Sequence, residues 1–357
     1  MISYLVKKIG YAIFTLYGVV TLIFLLFYLL PGDPAQMMLG QNETPEQIRN
    51  VKKKYGFDRS VGIQYLFYIN DLSPLSYHDT HLCSFTHDHG QYNGVNLIKT
   101  EGFKIMLKSP YLRTSFQKQG KPVSQVIGDT LPNTLLLATA AISIALLLGL
   151  LLGSIAALYR DTWIDRLIQV VSTFGMSVPS FFSAIIFAFL FGYVWHEFTG
   201  LQMSGSLYEI DDYGEQRSLQ IQNLILPSVV LGIRPLAVIT QLMRNSLLEV
   251  LSQEYITTAY AKGLTTLQVI KRHAFKNSLN PVVTAVSGWF ASLLAGAVFV
   301  EYIFNWNGLG KEIVEALNTL DLPVITGSVL IIASMFILIN ILVDFIYVWL
   351  DPRVKLN

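Results

Sequence analysis

Four stretches of the chain run for 20 residues or more without an Asp, Glu, Lys or Arg: Ile9 to Leu30, Leu135 to Tyr159, Leu167 to Trp195 and Pro281 to Val300. A helix rises about 1.5 Å per residue, so roughly 20 residues cross the ~30 Å hydrocarbon core of a bilayer. Two further runs qualify with one charge each, Leu224 to Met243 with Arg234 and Leu322 to Leu350 with Asp344. Six segments of this length predict an all-α membrane protein with six transmembrane helices rather than a water-soluble core. Composition agrees: 52% of the 357 residues are hydrophobic and 14% charged, too apolar for an ordinary soluble protein. The single cysteine, Cys83, excludes an intrachain disulfide.

The position of charge sets the expected orientation. Lys7 and Lys8 precede the first run, Arg160 and Arg166 flank the second short loop, and Arg244, Lys262, Lys271, Arg272 and Lys276 lie between the fourth and fifth runs. Arg353 and Lys355 follow the sixth, while the alternate short loops hold just Arg217 and Lys311. Basic loops stay cytoplasmic, so both termini are expected inside. The first run resembles a signal peptide, but Pro31-Gly32-Asp33-Pro34 follows it without a small-residue cleavage site, which predicts a retained first span.

These features divide the chain into a first transmembrane helix over 1–30, an extracytoplasmic region over 31–132, a transmembrane core over 133–350 and a cytoplasmic tail over 351–357. Short helices are expected at Gln47–Lys54 and Gln64–Ile69. Residues 73–112 read as an inserted surface loop, since Ser, His, Asp, Gly and Asn dominate beyond Leu72 to about Asn96.

The core contains one patterned polar segment, residues 252–280. Ser252 is placed to cap a helix starting near Glu254, and Gly263 stands where a helix needs a left-handed stop. Thr265-Thr266-Leu267-Gln268 has the spacing of a capping box for a second helix. Two short helices joined at a fixed elbow are therefore expected, with Tyr255, Ala259, Ala261, Leu264 and Val269 as its apolar surface. On these residues alone, an amphipathic loop resting on the bilayer is the simpler reading.

The residues Glu254 to Leu264, continuing through His273 to Val283, resemble the coupling-helix signature of binding-protein-dependent ABC transporter permeases. The nearest branch is the first permease subunit of dipeptide, oligopeptide and nickel importers. Collinear pieces agree: Leu30 to Pro34, Gln64-Tyr65-Leu66, Lys121-Pro122-Val123, Leu131-Pro132, Arg244-Asn245-Ser246, Glu301 to Gly310, Asp321-Leu322-Pro323 and Asp351-Pro352-Arg353. Two departures stand out. Thr257-Thr258-Ala259 replaces the usual Glu-Ala-Ala opening, and Asn307 replaces a common Pro before Gly-Leu-Gly, which implies a looser turn there.

The resemblance implies a type I ABC importer permease-like fold with a large extracytoplasmic loop between helices 1 and 2. It also implies a non-catalytic, pore-forming subunit in a bacterial inner membrane. The partners it implies are a homologous second permease subunit, two cytoplasmic ATPase subunits, an extracytoplasmic substrate-binding protein and membrane lipid, with no nucleic acid. ATP and Mg would sit on the ATPases, in keeping with the lack of a Gly-x-x-x-x-Gly-Lys-Ser/Thr loop in this chain. Glu254, Tyr255, Thr258, Ala259, Ala261, Lys262, Gly263 and Leu264 would form the ATPase-coupling site. Di- or oligopeptides are the expected cargo; nickel or another small solute is the alternative. A secondary transporter or channel, the alternative of another class, would need intramembrane acid or ion-coupling chains.

Three further groups are candidates. Arg234 lies mid-span, where a charge should face protein or water, either lining the pore or marking a helix break beside Pro235. Gly149 with Gly153, and Gly288, Ser292 and Gly296, recur at helical spacing; close helix packing is the ordinary meaning, and pore lining by Gly288 and Ser292 the sharper one. His78, His81, Cys83, His87 and His89 crowd one polar stretch and could hold nickel, zinc or copper, although their spacing matches no standard metal motif.

Overall fold

The computed structural model describes residues 2–29, 33–39, 44–80, 92–118, 120–210 and 217–350. They form two compact units, one of residues 2–129 with 312–334 and one of 130–311 with the stretch from 335 onward.

In the first unit, helix α1 (Ile2–Leu29) is followed by α2 (Pro34–Leu39), α3 (Pro45–Tyr55) and α4 (Val61–Leu72). The expected helices near 47–54 and 64–69 are thus present and longer. Thr44 explains where α3 starts: its hydroxyl accepts from Gln47 N–H at 3.3 Å and Gln47 Oε1 accepts from Thr44 N–H at 2.9 Å, a reciprocal cap with Pro45 in the first turn. Tyr65 of α4 shares a hydrogen bond of 2.5 Å with Thr21 of α1, and Phe24 packs on the rings of Tyr65 and Tyr68.

The described part of the stretch read as a surface loop contains an antiparallel sheet instead. Strands β1 (Leu75–Asp79), β2 (Gly94–Lys99) and β3 (Phe103–Lys108) pair in the order β1-β3-β2. Alternation is visible afterwards in β1, where Ser76 and His78 are buried and Leu75 and Tyr77 exposed. Polar residues on the buried face of a short strand erased the hydrophobic signal on which the sequence reading relied. The unit is pinned at its edge by Arg113, whose Nε donates to Asp71 Oδ2 at 2.9 Å while Tyr92 OH donates to Oδ1 at 2.9 Å. Asp321 accepts the backbone N–H groups of Phe116 at 3.1 Å and Gln117 at 3.2 Å.

Beyond the sheet come α5 (Val123–Leu158), α6 (Trp163–Ser177), α7 (Ser180–Phe189), a wide π turn (Leu190–Val194) and α8 (His196–Thr199). The hairpin β4 (Tyr208–Ile210) and β5 (Arg217–Leu219) leads into α9 (Gln222–Leu251) and α10 (Glu254–Ala261). Next are α11 (Thr266–Val269), a second π turn (Ile270–Ala274), α12 (Phe275–Ser278), α13 (Asn280–Gly296), α14 (Val298–Ile303), α15 (Leu309–Thr319) and α16 (Leu322–Leu350).

Among the described residues four helices are long and apolar enough to cross a membrane, within α1, α5, α9 and α16, and two bent pairs bring the spans to six when each counts as one. The run Leu167 to Trp195, expected as one span, is such a pair: it breaks around Val178-Pro179 and turns by 107°. Proline removes a donor there and disfavours helix for the residue before it.

The second unit is built on α5 against α9. Leu137, Ala141 and Ala145, one helical turn apart, are fully buried. A Cβ on Gly149 would lie 2.7 Å from Ile239 Cγ2, and one on Gly153 2.6 Å from the Thr240 carbonyl, so these two glycines do serve close packing. Gly288, Ser292 and Gly296 are exposed, and a Cβ on Gly288 would meet nothing within 4 Å, so packing inside this chain does not account for them.

Candidate functional site

Helix α9 leads directly into the patterned segment. Ser252 does not cap the next helix, because its hydroxyl donates back to Glu249 O at 2.7 Å and finishes α9. Gln253 takes the extended N-cap position, and α10 starts at Glu254, an acid at the positive end of the helix dipole. At the other end Gly263 is left-handed, φ +83°, with Gly263 N–H on Tyr260 O at 2.9 Å and Leu264 N–H on Ala259 O at 3.4 Å. That double bond pattern terminates a helix and aims the chain back over it. The Thr265–Gln268 capping box is in place, with Gln268 Oε1 accepting Thr265 N–H at 3.0 Å.

The elbow is held by an apolar anchor that differs from the expected one. Ile256, Ala259, Val269 and Ala274 are buried against Met243 and Leu247 of α9 and Val282 of α13, with Leu264 packed alongside. Tyr255 and Ala261, expected in that surface, are exposed. Ile256 takes the place because it stands one turn before Ala259 on the inner face. Tyr255 contributes through its hydroxyl, which accepts from Asn277 Nδ2 at 2.9 Å and ties α10 to α12.

The candidate coupling residues therefore divide into two sets. Ala259 and Leu264 face the helices, whereas Glu254, Tyr255, Thr258, Ala261, Lys262 and Gly263 face outward. Tyr260 and Leu267 join the outer set at 41% and 73% exposure, beside the exposed Lys271 and Arg272. This is an apolar surface with a basic rim, on a base packed against α9 and α13.

Two locks were not foreseen. Arg244 Nε and Nη2 each lie 2.7 Å from an oxygen of Asp165, a two-pronged pair between α9 and α6. Asp165 also accepts Asp161 N–H at 3.0 Å and Gln169 Nε2 at 3.2 Å. The second lock surrounds Glu301. Its Oε2 accepts Gly310 N–H at 2.7 Å and Lys311 N–H at 3.2 Å, at the start of α15. Trp306 Nε1 donates to Asn133 O at 3.1 Å, Asn133 Nδ2 to Asn307 O at 2.7 Å, and Leu309 N–H to Thr134 Oγ1 at 2.8 Å. The turn at Asn307, expected to be loose, is cross-braced to α5. Burial pushes the Glu301 carboxyl up to about 7, outweighing the hydrogen bonds that favour its charged form.

Arg234 is exposed on α9, as are Gly288 and Ser292 on α13. Of the histidine group, His78 lies buried in β1, its Nε2 2.8 Å from Ser76 Oγ and its ring 4.4 Å from that of Tyr92. His81, Cys83, His87 and His89 fall outside the described residues, as does the side chain of Asp344. Among the described residues no three His, Cys, Asp or Glu side chains come together to hold a metal.

Two family models match the chain: "Binding-protein-dependent transport system inner membrane component" over residues 149–356, and "Binding-prot-dependent transport system membrane comp, N-term" over residues 1–86. The dipeptide transport system permease protein DppB of Alkalihalophilus pseudofirmus is 32% identical, covering 99% of this chain and 100% of that protein. The di/tripeptide transport system permease protein DppB of Pseudomonas aeruginosa is 33% identical, covering 99% of both. Among solved structures, the inward-facing MetNI methionine ABC transporter has a similar fold, with a TM-score of 0.52 at 15% identity over 64% of this chain and 97% of that one. Family signature and helical architecture agree, and the chain belongs to the binding-protein-dependent transport-system inner-membrane components as a multi-pass permease subunit.

Proposed function

We propose that this chain forms half of the translocation pore of an ATP-driven importer for dipeptides or oligopeptides. It pairs with a homologous permease subunit or a second copy of itself, receives cargo from an extracytoplasmic binding protein, and is driven by two cytoplasmic ATPases that hold ATP and Mg. The chain itself makes and breaks no covalent bond. Both termini lie in the cytoplasm, and residues 31–132 face the binding protein.

The observation that carries this reading is the elbow of α10 and α11. A closing ATPase can move membrane helices only through a part that does not bend under load, and the elbow is packed onto α9 and α13 while presenting Tyr260, Leu267 and Lys262 outward. Peptide cargo is supported by the dipeptide and di/tripeptide permeases to which nearly the whole chain is similar. Arg234, Gly288 and Ser292 are the proposed pore-lining residues: an exposed mid-helix cation suits a peptide carboxylate, and small side chains leave room for variable cargo.

The test is uptake of a labelled dipeptide by proteoliposomes holding the purified complex and its binding protein, together with Tyr260→Cys and Leu267→Cys cross-linking to the ATPases. ATP-dependent uptake and cross-links at these positions are expected. Uptake that survives inactivation of the ATPases but collapses with the ion gradient would reject the proposal.

A further inference from the structure

The first unit contains a cavity of about 120 Å³ whose lining includes seven aromatic rings and one guanidinium. Phe24 and Tyr28 of α1, Phe67 and Tyr68 of α4, and Leu322 and Thr326 of α16 form its main walls. Phe24 and Tyr28 lie in the last two turns of α1, while Leu322 and Thr326 lie in the first two of α16. Both helices are membrane spans, so the cavity sits where two spans reach the bilayer surface, the level at which tyrosine rings collect.

The guanidinium belongs to Arg113. It is stacked 5.6 Å over the Tyr68 ring and uses Nε on Asp71 at 2.9 Å. Its two terminal amino groups bond to no described residue, and no Asp or Glu lines the cavity. An arginine with one edge anchored and the other free is preorganised for a second oxyanion, and its planar fork suits phosphate. The aromatic walls beside it have no use for a small soluble ion. They suit hydrocarbon.

We propose that this cavity is a phospholipid site. An anionic phospholipid of the adjoining leaflet places its phosphate on the free edge of Arg113 and the upper part of one acyl chain among the aromatic rings. Position and charge together select this occupant: α1 and α16 are apolar enough to cross a bilayer, and the one charged side chain in the wall is the Arg113 cation. The bound lipid would bridge α1, α4 and α16 at one membrane face.

The test uses the intact purified complex in nanodiscs, with phosphatidylglycerol carrying a photoreactive diazirine in its acyl chain. Label is expected on peptides containing Tyr28, Phe67 or Leu322, displaced by unlabelled phosphatidylglycerol and not by inorganic phosphate. Arg113→Gln should cut labelling about tenfold, the loss of a charge-assisted pair. Because that change also leaves Asp71 unpaired, Leu322→Trp, which fills the cavity and spares the ion pair, should give a comparable loss at unchanged melting temperature; if the Arg113 variant fails to assemble, the Leu322 variant decides. Label spread along α1 and unchanged in Leu322→Trp overturns the proposal. So does displacement by inorganic phosphate, which would mark an ion site, or capture of the paired permease by a photoreactive residue at 322, which would mark a protein occupant.

Discussion

Arg244 grips both oxygens of Asp165 at 2.7 Å, eight residues before α9 gives way to the elbow. Asp165 is 2% exposed, and removing its partner leaves its carboxylate with the Asp161 N–H and Gln169 Nε2 donors alone. Losing hydrogen bonds to a charged group costs about 1.5–3 kcal/mol. Arg244→Ala should therefore lower the melting temperature of the complex. Arg244→Lys should recover part of the loss, since an ammonium restores the charge without the fork. Equal melting of Arg244→Ala and the parent would show that the pair is idle.

Gly263 holds a backbone conformation that costs other L-residues about 1–2 kcal/mol. A Cβ there would meet nothing within 4 Å, so the penalty of Gly263→Val is purely one of backbone shape. The expected outcome is a complex that assembles and hydrolyses ATP but imports several-fold less peptide per ATP, because the elbow no longer transmits the stroke. The ratio of uptake to hydrolysis in proteoliposomes checks it; an unchanged ratio contradicts the lever.

Glu301 carries a pH signature. Its carboxyl, ordinarily near 4.5, sits at about 7 in the folded chain. Between those values the folded state holds a proton that the unfolded state has released, so this group's contribution to stability falls as pH rises from about 4.5 to about 7 and then levels off. Glu301→Gln cannot ionise. Relative to the parent it should lack that fall, roughly 3 kcal/mol in all. Melting curves of parent and variant that run parallel from pH 5 to pH 8 contradict the assignment.

Two glycines give opposite forecasts. A Cβ on Gly308 would press on the Glu301 carboxylate, which would have to shift away from the N–H groups it holds at the start of α15. Gly308→Ala should cost about 1–3 kcal/mol, in the range of overpacked cores, and reduce the amount of assembled complex. Gly288 has open space, so Gly288→Val should leave the chain's own folding untouched. If its face lines the pore, peptide uptake drops while assembly and melting stay constant; normal uptake removes Gly288 from the pathway.

Much of this architecture is legible from residue order. Long apolar runs, two of them carrying a single charge, match the four unbroken spans and α13, and the Gly263 stop with the Thr265–Gln268 box describes the elbow. Local chemistry of that kind depends on neighbours within four residues. The β1-β3-β2 sheet was missed because its buried face includes Ser76, His78 and Lys108, which read as loop residues. The bend within Leu167 to Trp195 was announced by Pro179 but outvoted by hydropathy. The pairing of Asp165 with Arg244 spans 79 positions, and nothing in a single sequence joins residues so far apart.

Asn307 occupies a position where proline would preset the turn by its own ring. Here the same bend is imposed from outside, by Trp306 and Asn133 on one side and Glu301 on the other. A turn shaped by its surroundings relieves the residue at its tip of that duty. The bend is thereby expected to survive a change of side chain at position 307, and to be lost with Trp306, Asn133 or Glu301.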